Sequence, residues 1–287
     1  MKNRTAVCEF SFPRLGPIAI ELASQAGFDG IQLIDTYELA QGAPLLNPAV
    51  QNAYLEAAEK YHIAFQGLHL YSLCHADILG SIMDSPNGEI IKQNLRNAVE
   101  TCKRMNIPVI MMNFNGHHLI HRPCTEQWDN ATEALKFGYD LCEENGIQMT
   151  IETLHTPEKF FALRDRVGAN LKICFDTLIP RVHDVGIPAE LIKAYGIDEI
   201  DHFHVHDCLP DSRGYFTVHT LSSALIGEGK SGFAECADVI NGTDFCGWFV
   251  SETCYFNRKL FKNPGAELDY AALASKDVET LKRTFVR

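Results

Sequence analysis

The chain has 287 residues, 46% of them hydrophobic, with 37 acidic side chains against 25 basic ones and a formal charge of -12. That balance excludes a broad polyanion-binding face, because nucleic-acid affinity comes mostly from neutralised phosphates. No stretch approaches the roughly 18 uncharged apolar residues of a membrane span, and the opening MKNRTAVCEF has no apolar run of signal length.

A soluble cytoplasmic protein without nucleic-acid or membrane partners is the expectation. The ten cysteines are scattered singly, with no CxxC spacing. Cys8, Cys102, Cys142, Cys174 and Cys246 sit in apolar surroundings and read as small buried hydrophobes in a reducing compartment.

In chain order, short β-branched or aromatic runs alternate with amphipathic stretches. The pattern predicts strands at 5–10, 30–35, 63–70, 108–114, 148–153, 171–176, 201–207 and 247–253. Helices are predicted at 17–25, 48–61, 89–105, 125–144, 157–167, 189–195, 233–240 and 270–285. In 89–105, Ile91, Leu95, Ala98, Val99, Cys102 and Met105 share one face at the helical period. Gly27, Asn106, Gly146 and Gly168 mark helix stops.

Eight strand-helix units in alternation point to a parallel sheet closed as a single (β/α)8 TIM barrel, one domain over residues 1–287. An open dinucleotide-binding sheet would want GxGxxG after the first strand, where the chain reads S-F-P-R-L-G. The stretch 255–268 is expected to fold over a barrel mouth.

Four predicted strands carry a potential metal ligand near their C-terminal ends: T-I-Glu152, C-F-Asp176, H-F-His204 and V-S-Glu252. Strand alternation turns each inward, since Ile151, Phe175, Phe203 and Phe249 take the outward phase. The C-terminal ends of barrel strands are where active sites lie. Three carboxylates in one mouth would repel without a cation, and two Glu, one Asp and one His suit a hard or borderline divalent ion.

The segments I-E-T-L-H-T-P-E, F-D-T, H-F-H-V-H-D, G-E-G at 227–229 and V-S-E-T resemble the xylose-isomerase-like TIM barrels of the sugar phosphate isomerase/epimerase superfamily. The resemblance covers nearly the whole chain. It implies that Glu152, Asp176, His204 and Glu252 bind one divalent ion, Mn2+, Mg2+ or Co2+ first and Zn2+ also admissible. His204 is the match within the H-x-H-x-x-D pattern of His202, His204 and Asp207. Glu158 matches a substrate-binding Glu of the ketose epimerases.

The implied activity is isomerisation or epimerisation of a small sugar, ketose or polyol derivative. Glu152 and Glu252 would flank a metal-stabilised enediol, one removing a proton and the other returning it. His69, His155, Arg213, His219 and His206 are further candidates for touching substrate, and homo-oligomers are common among the relatives. His117, His118 and His121 could line the pocket.

The chain departs from the pattern at Ile179, where many relatives carry His and the nearest alternative is His183, at Pro210 in place of an Arg, and at Gln32 in place of Glu. A metal-dependent dehydratase of the inosose dehydratase type is the alternative. More remote readings are an endonuclease IV-like repair nuclease and a non-catalytic sugar-binding barrel.

Overall fold

The computed structural model describes residues 3–35, 43–75, 78, 81–114, 125–257, 260 and 269–286. Its strands are β1 (Arg4–Cys8), β2 (Gly30–Ile34), β3 (Ala64–His69), β4 (Val109–Phe114), β5 (Gln148–Thr153), β6 (Lys172–Asp176), β7 (Ile200–Val205) and β8 (Trp248–Ser251). They follow one another in chain order and close as a barrel, β8 returning to pair with β1. The described pairs are parallel. The fold is the expected (β/α)8 barrel.

Among the described residues the helices are α1 (Pro17–Ala26), α2 (Pro48–Tyr61), α3 (Pro86–Met105), α4 (Thr125–Glu144), α5 (Pro157–Val167), α6 (Ile179–Val182), α7 (Pro188–Tyr195), α8 (Phe233–Asn241) and α9 (Tyr270–Phe285). None is long and apolar enough to cross a membrane. The short α6 has no counterpart in the sequence reading.

Helix α3 begins before the predicted Glu89 because Ser85 caps it, its hydroxyl accepting from Gly88 N–H at 3.1 Å, and Pro86 supplies a ready-made first turn. It ends where Asn106 adopts the left-handed conformation at φ 55°. The predicted apolar face, Ile91 to Met105, is buried.

Strands β1, β2, β3, β7 and β8 end earlier than their alternation suggests, and the last two matter for the site. Strand β7 stops at Val205 because His206 N–H turns to the Thr177 hydroxyl at 3.1 Å instead of continuing a ladder. Strand β8 stops at Ser251, so Glu252 stands just beyond it. Phe10 lies in a 3-10 turn after β1. Cys246 corrects the cysteine reading: it is exposed, in the turn before β8, whereas Cys8, Cys102, Cys142 and Cys174 are buried. The residues 117, 118 and 121 and most of 255–268 lie outside the described residues.

Contacts gather the chain into two units. One comprises Met1–Gln32, Ala53–Ala64 and Phe175–Arg287. There Phe203, Phe249 and Phe285 stack face to face, with ring centroids 5.4 and 3.8 Å apart along the row, and fasten α9 to β7 and β8. Truncating a fully buried member such as Phe249 would cost about 3–5 kcal/mol in lost burial and cavity formation.

The other unit comprises Leu33–Asn52 and Phe65–Cys174. Within it, β4 and β5 pair along all six residues of each. At Gly138 of α4 a Cβ would meet Leu95 and Met149 at 3.0 and 3.3 Å, so the missing side chain lets α3 and the sheet close on that helix.

Candidate metal centre and active site

The end of β6 places Asp176 in the first unit, 3% exposed. Its Oδ1 accepts from the backbone N–H groups of Leu178 and Ile179 at 2.6 and 2.7 Å, where the chain turns into α6. Among the described residues, its buried Oδ2 accepts no hydrogen bond. His206 Nδ1 lies 3.1 Å from that oxygen without the geometry of one. A buried carboxylate oxygen in this condition is costly unless a cation faces it, and the neighbouring His206 ring, which these carboxylates hold in its charged form, offsets only one of the negative charges gathered here.

On β7, fully buried His204 sets Nδ1 2.8 Å from Glu252 Oε2. Glu252 is fixed at its backbone, where its N–H donates to the Val205 carbonyl at 3.2 Å. Asp176, His204 and Glu252 each offer a ligand atom, and these atoms lie within 4.8 Å of one another. One imidazole nitrogen and two carboxylate oxygens form a donor set for a hard or borderline divalent ion. These residues fit the ion that the sequence implies.

His206 stands beside the same carboxylates, with Nε2 2.8 Å from the Glu252 carbonyl oxygen and 3.4 Å from its Oε2. Burial works against a charge on this ring, but Asp176 and Glu252 outweigh it and push its pKa up to about 9. His202, equally buried, is driven the other way by its burial despite the neighbouring Asp201 carboxylate.

In the second unit, Glu152 is the next-to-last residue of β5 and 5% exposed. The β4–β5 register sets Asn113 beside it. Asn113 Nδ2 donates to Glu152 Oε2, and its Oδ1 meets Nε2 of His69 at the end of β3. The sequence reading passed over Asn113; its only signal was an amide near the end of the otherwise apolar run V-I-M-M-N-F.

His155, also in this unit, is buried, with Nδ1 2.9 Å from the Thr153 hydroxyl and its ring stacked on Phe114 at 5.1 Å.

Other sequence-derived candidates are exposed. Glu158 lies in the first turn of α5, where its own backbone N–H and the Thr156 hydroxyl lower its carboxyl pKa. Arg213 pairs with Asp211 through contacts of 3.1 and 2.9 Å. His219 occupies the 3-10 turn Val218–Thr220, and His183 follows α6.

Similarity to known proteins follows the same outline. A 2-epi-5-epi-valiolone 7-phosphate 2-epimerase from Actinoplanes sp. is 23% identical over 244 residues, covering 85% of this chain and 84% of that protein. The structure of D-psicose 3-epimerase with D-tagatose from Clostridium cellulolyticum H10 gives a TM-score of 0.73 at 14% identity, over 99% of this chain and 100% of that one. An IOLI protein with a binding zinc atom gives 0.74 at 16% identity, over 98% of this chain and 99% of the other. These structures share the fold. The model of the xylose isomerase-like TIM barrel matches residues 20–283, and the chain belongs to that family.

Proposed function

We propose that this chain is a divalent-metal-dependent isomerase or epimerase of a small sugar, ketose or polyol derivative, with Glu152, Asp176, His204 and Glu252 holding one ion. The observation that carries the reading is the buried Asp176 Oδ2, which accepts no hydrogen bond and lies in a cluster with His204 and Glu252. Support for Glu152 as the fourth member comes from register. It pairs with Cys174, two residues before Asp176 on β6, so the two carboxylates end neighbouring strands. The epimerases among the similar proteins, and the zinc atom in one solved structure, support the same class.

A divalent ion, whether Mn2+, Mg2+, Co2+ or Zn2+, supplies Lewis acidity toward adjacent carbonyl and hydroxyl oxygens of a bound sugar. The chain's own residues move the proton. Glu152, oriented by Asn113, and Glu252, anchored through its backbone, work as the acid-base pair: one takes the proton from the acidified C–H and the other returns it. Return to the opposite face of the same carbon gives an epimer; return to the neighbouring carbon gives an isomer. The buried His69, His155 and His206 are proposed to orient substrate hydroxyls, with Glu158, Arg213 and His219 reaching substrate from exposed positions.

The test combines elemental analysis with proton NMR in D2O on a panel of ketoses, ketose phosphates and inososes. The expected result is about one divalent ion per chain and deuterium entering the carbon where the configuration changes or the carbonyl migrates. Appearance of a deoxy-ketone would instead establish a dehydratase. A chain that takes up no ion from Mn2+ or Zn2+ overturns the proposal.

A further inference from the structure

Behind His204 lies a line of polar side chains that the proton-transfer reading does not use. Asp201 Oδ2 is 2.8 Å from His202 Nδ1, His202 Nε2 is 3.2 Å from Gln32 Nε2, and Gln32 Oε1 is 2.9 Å from His204 Nε2. Cys8 adds a fourth contact, its thiol donating to Gln32 Oε1 at 3.5 Å. Cys8, Gln32, His202 and His204 are all at most 1% exposed, so no bulk solvent competes for these groups.

The order of donors along this line is determined by chemistry. The Asp201 carboxylate can only accept, so His202 carries its proton on Nδ1 and accepts at Nε2. The Gln32 group that faces His202 is therefore the amide NH2, which leaves the carbonyl oxygen toward His204 and the Cys8 thiol, a thiol that also lies 3.9 Å from His204 Nε2. Gln32 Oε1, an acceptor, requires an N–H from His204 Nε2. The other ring nitrogen, Nδ1, is the one 2.8 Å from Glu252 Oε2. On a neutral ring it would present a lone pair beside a carboxylate, an arrangement that a shared cation makes favourable.

We infer that Gln32, held in place by Cys8, His202 and Asp201, is a positioning residue that fixes His204 in the tautomer carrying its proton on Nε2, so that Nδ1 is the metal-binding nitrogen. This rests on the reading of His204 as a ligand. Orientation of ligating imidazoles through a hydrogen bond to the other ring nitrogen is a general device, and its loss typically weakens metal affinity about 10- to 100-fold. Here the orienting group is a neutral amide, and an amide can face either way. The pair of His202 and Asp201 is therefore part of the device, because it decides which end meets His204, and the Cys8 thiol fits the same orientation.

Two measurements on the full-length protein test it. The first is long-range proton-nitrogen NMR of the histidine side chains in the Zn2+-loaded chain, with His204 assigned by its loss in His204→Gln. The expected spectrum has the His204 proton on Nε2 and the metal on Nδ1. Zn2+ binding with the proton on Nδ1 overturns the inference while leaving the metal reading intact, whereas a chain that binds no Zn2+ overturns both.

The second measurement is Zn2+ affinity by calorimetry for Gln32→Met and Gln32→Glu. Gln32→Met, similar in volume but without the amide, is expected to bind about 10- to 100-fold more weakly. Gln32→Glu, which restores an acceptor to His204 Nε2, is expected to recover at least about tenfold of that loss. Equal affinity in wild type and Gln32→Met overturns the inference.

Discussion

Asp176 and Asp207 are buried carboxylates of the same unit, both 2–3% exposed, yet their surroundings differ in one decisive respect. Asp207 is saturated. Its Oδ1 accepts from Cys208 N–H at 2.9 Å, Ser231 N–H at 3.2 Å and the Ser231 hydroxyl at 2.6 Å, while Oδ2 accepts from Gly227 and Gly229 N–H groups at 3.0 Å each. At Gly229 a Cβ would collide with this carboxylate, which explains the second glycine of G-E-G as a steric need.

Asp176 has backbone donors on one oxygen only. A carboxylate whose lone pairs are met by fixed N–H groups organises a loop; one left half-met beside an imidazole and a second carboxylate is arranged for a cation.

The largest effect that would break this contrast is expected at Asp176. In Asp176→Asn the amide oxygen can keep the two backbone bonds, but an NH2 replaces the oxygen that would face the ion. Turnover should fall about a thousandfold or more, and Mn2+ affinity measured by calorimetry should fall with it. The thermal midpoint of the metal-free protein should stay within a few degrees of wild type, since removing a buried charge offsets the loss of its ion pair with His206. Wild-type metal affinity in this variant would erase the distinction between the two aspartates.

Asp207→Asn should do the opposite. An amide NH2 among those donors leaves N–H groups facing N–H groups in a dry pocket, costing about 3 kcal/mol of stability. Urea denaturation would read that loss as a lower midpoint. Metal stoichiometry and affinity of the molecules still folded should be unchanged; their loss without a change in stability would make Asp207 part of the centre.

Asp277 on α9 sharpens the comparison as a third environment. It is fully buried and accepts from Ile226 N–H at 2.8 Å, Tyr255 hydroxyl at 3.0 Å and Ser251 hydroxyl at 3.3 Å. Burial dominates these bonds and pushes its carboxyl up to about 6 from an ordinary 3.8. The folded chain therefore keeps a proton that the unfolded chain releases.

The stability this proton confers is fully present below about pH 4 and is lost as pH rises through about 6, a change on the order of 3 kcal/mol. Asp277→Asn should flatten that part of the stability-pH curve. A denaturation series in which wild type and variant keep the same slope between pH 4 and pH 6 would place the pH dependence elsewhere.

Much of this was legible in the sequence, for identifiable reasons. Strand β5 and helices α2, α4, α5 and α9 have the bounds their periodicity predicts. Glu152 and Asp176 were candidates because alternation gives them the inward phase, opposite Ile151 and Phe175, near the C-terminal ends of their strands. The short helix α6 was not legible, since its four residues are too few to show a period. Gln32 registered only as a departure from a familiar Glu. Its role depends on Cys8 and His202, which lie 24 and 170 positions away in the chain and become its neighbours only when the sheet forms.

Asn113 was illegible for the same reason, and it carries the smallest effect. Its register with Glu152 is set by the β4–β5 ladder, and its amide spans from His69 to the carboxylate. Asn113→Leu keeps the volume but leaves Glu152 without this donor, so Glu152 should sample rotamers that neither ligate nor reach the reacting C–H. Turnover is expected to fall about 10- to 100-fold, chiefly in kcat, because in the proposed function the proton transfer rather than sugar binding depends on where Glu152 points. Deuterium exchange into the product carbon should slow by the same factor. If KM rises and kcat holds, Asn113 is a substrate contact instead, and if neither changes by more than about twofold, Glu152 is positioned by other means.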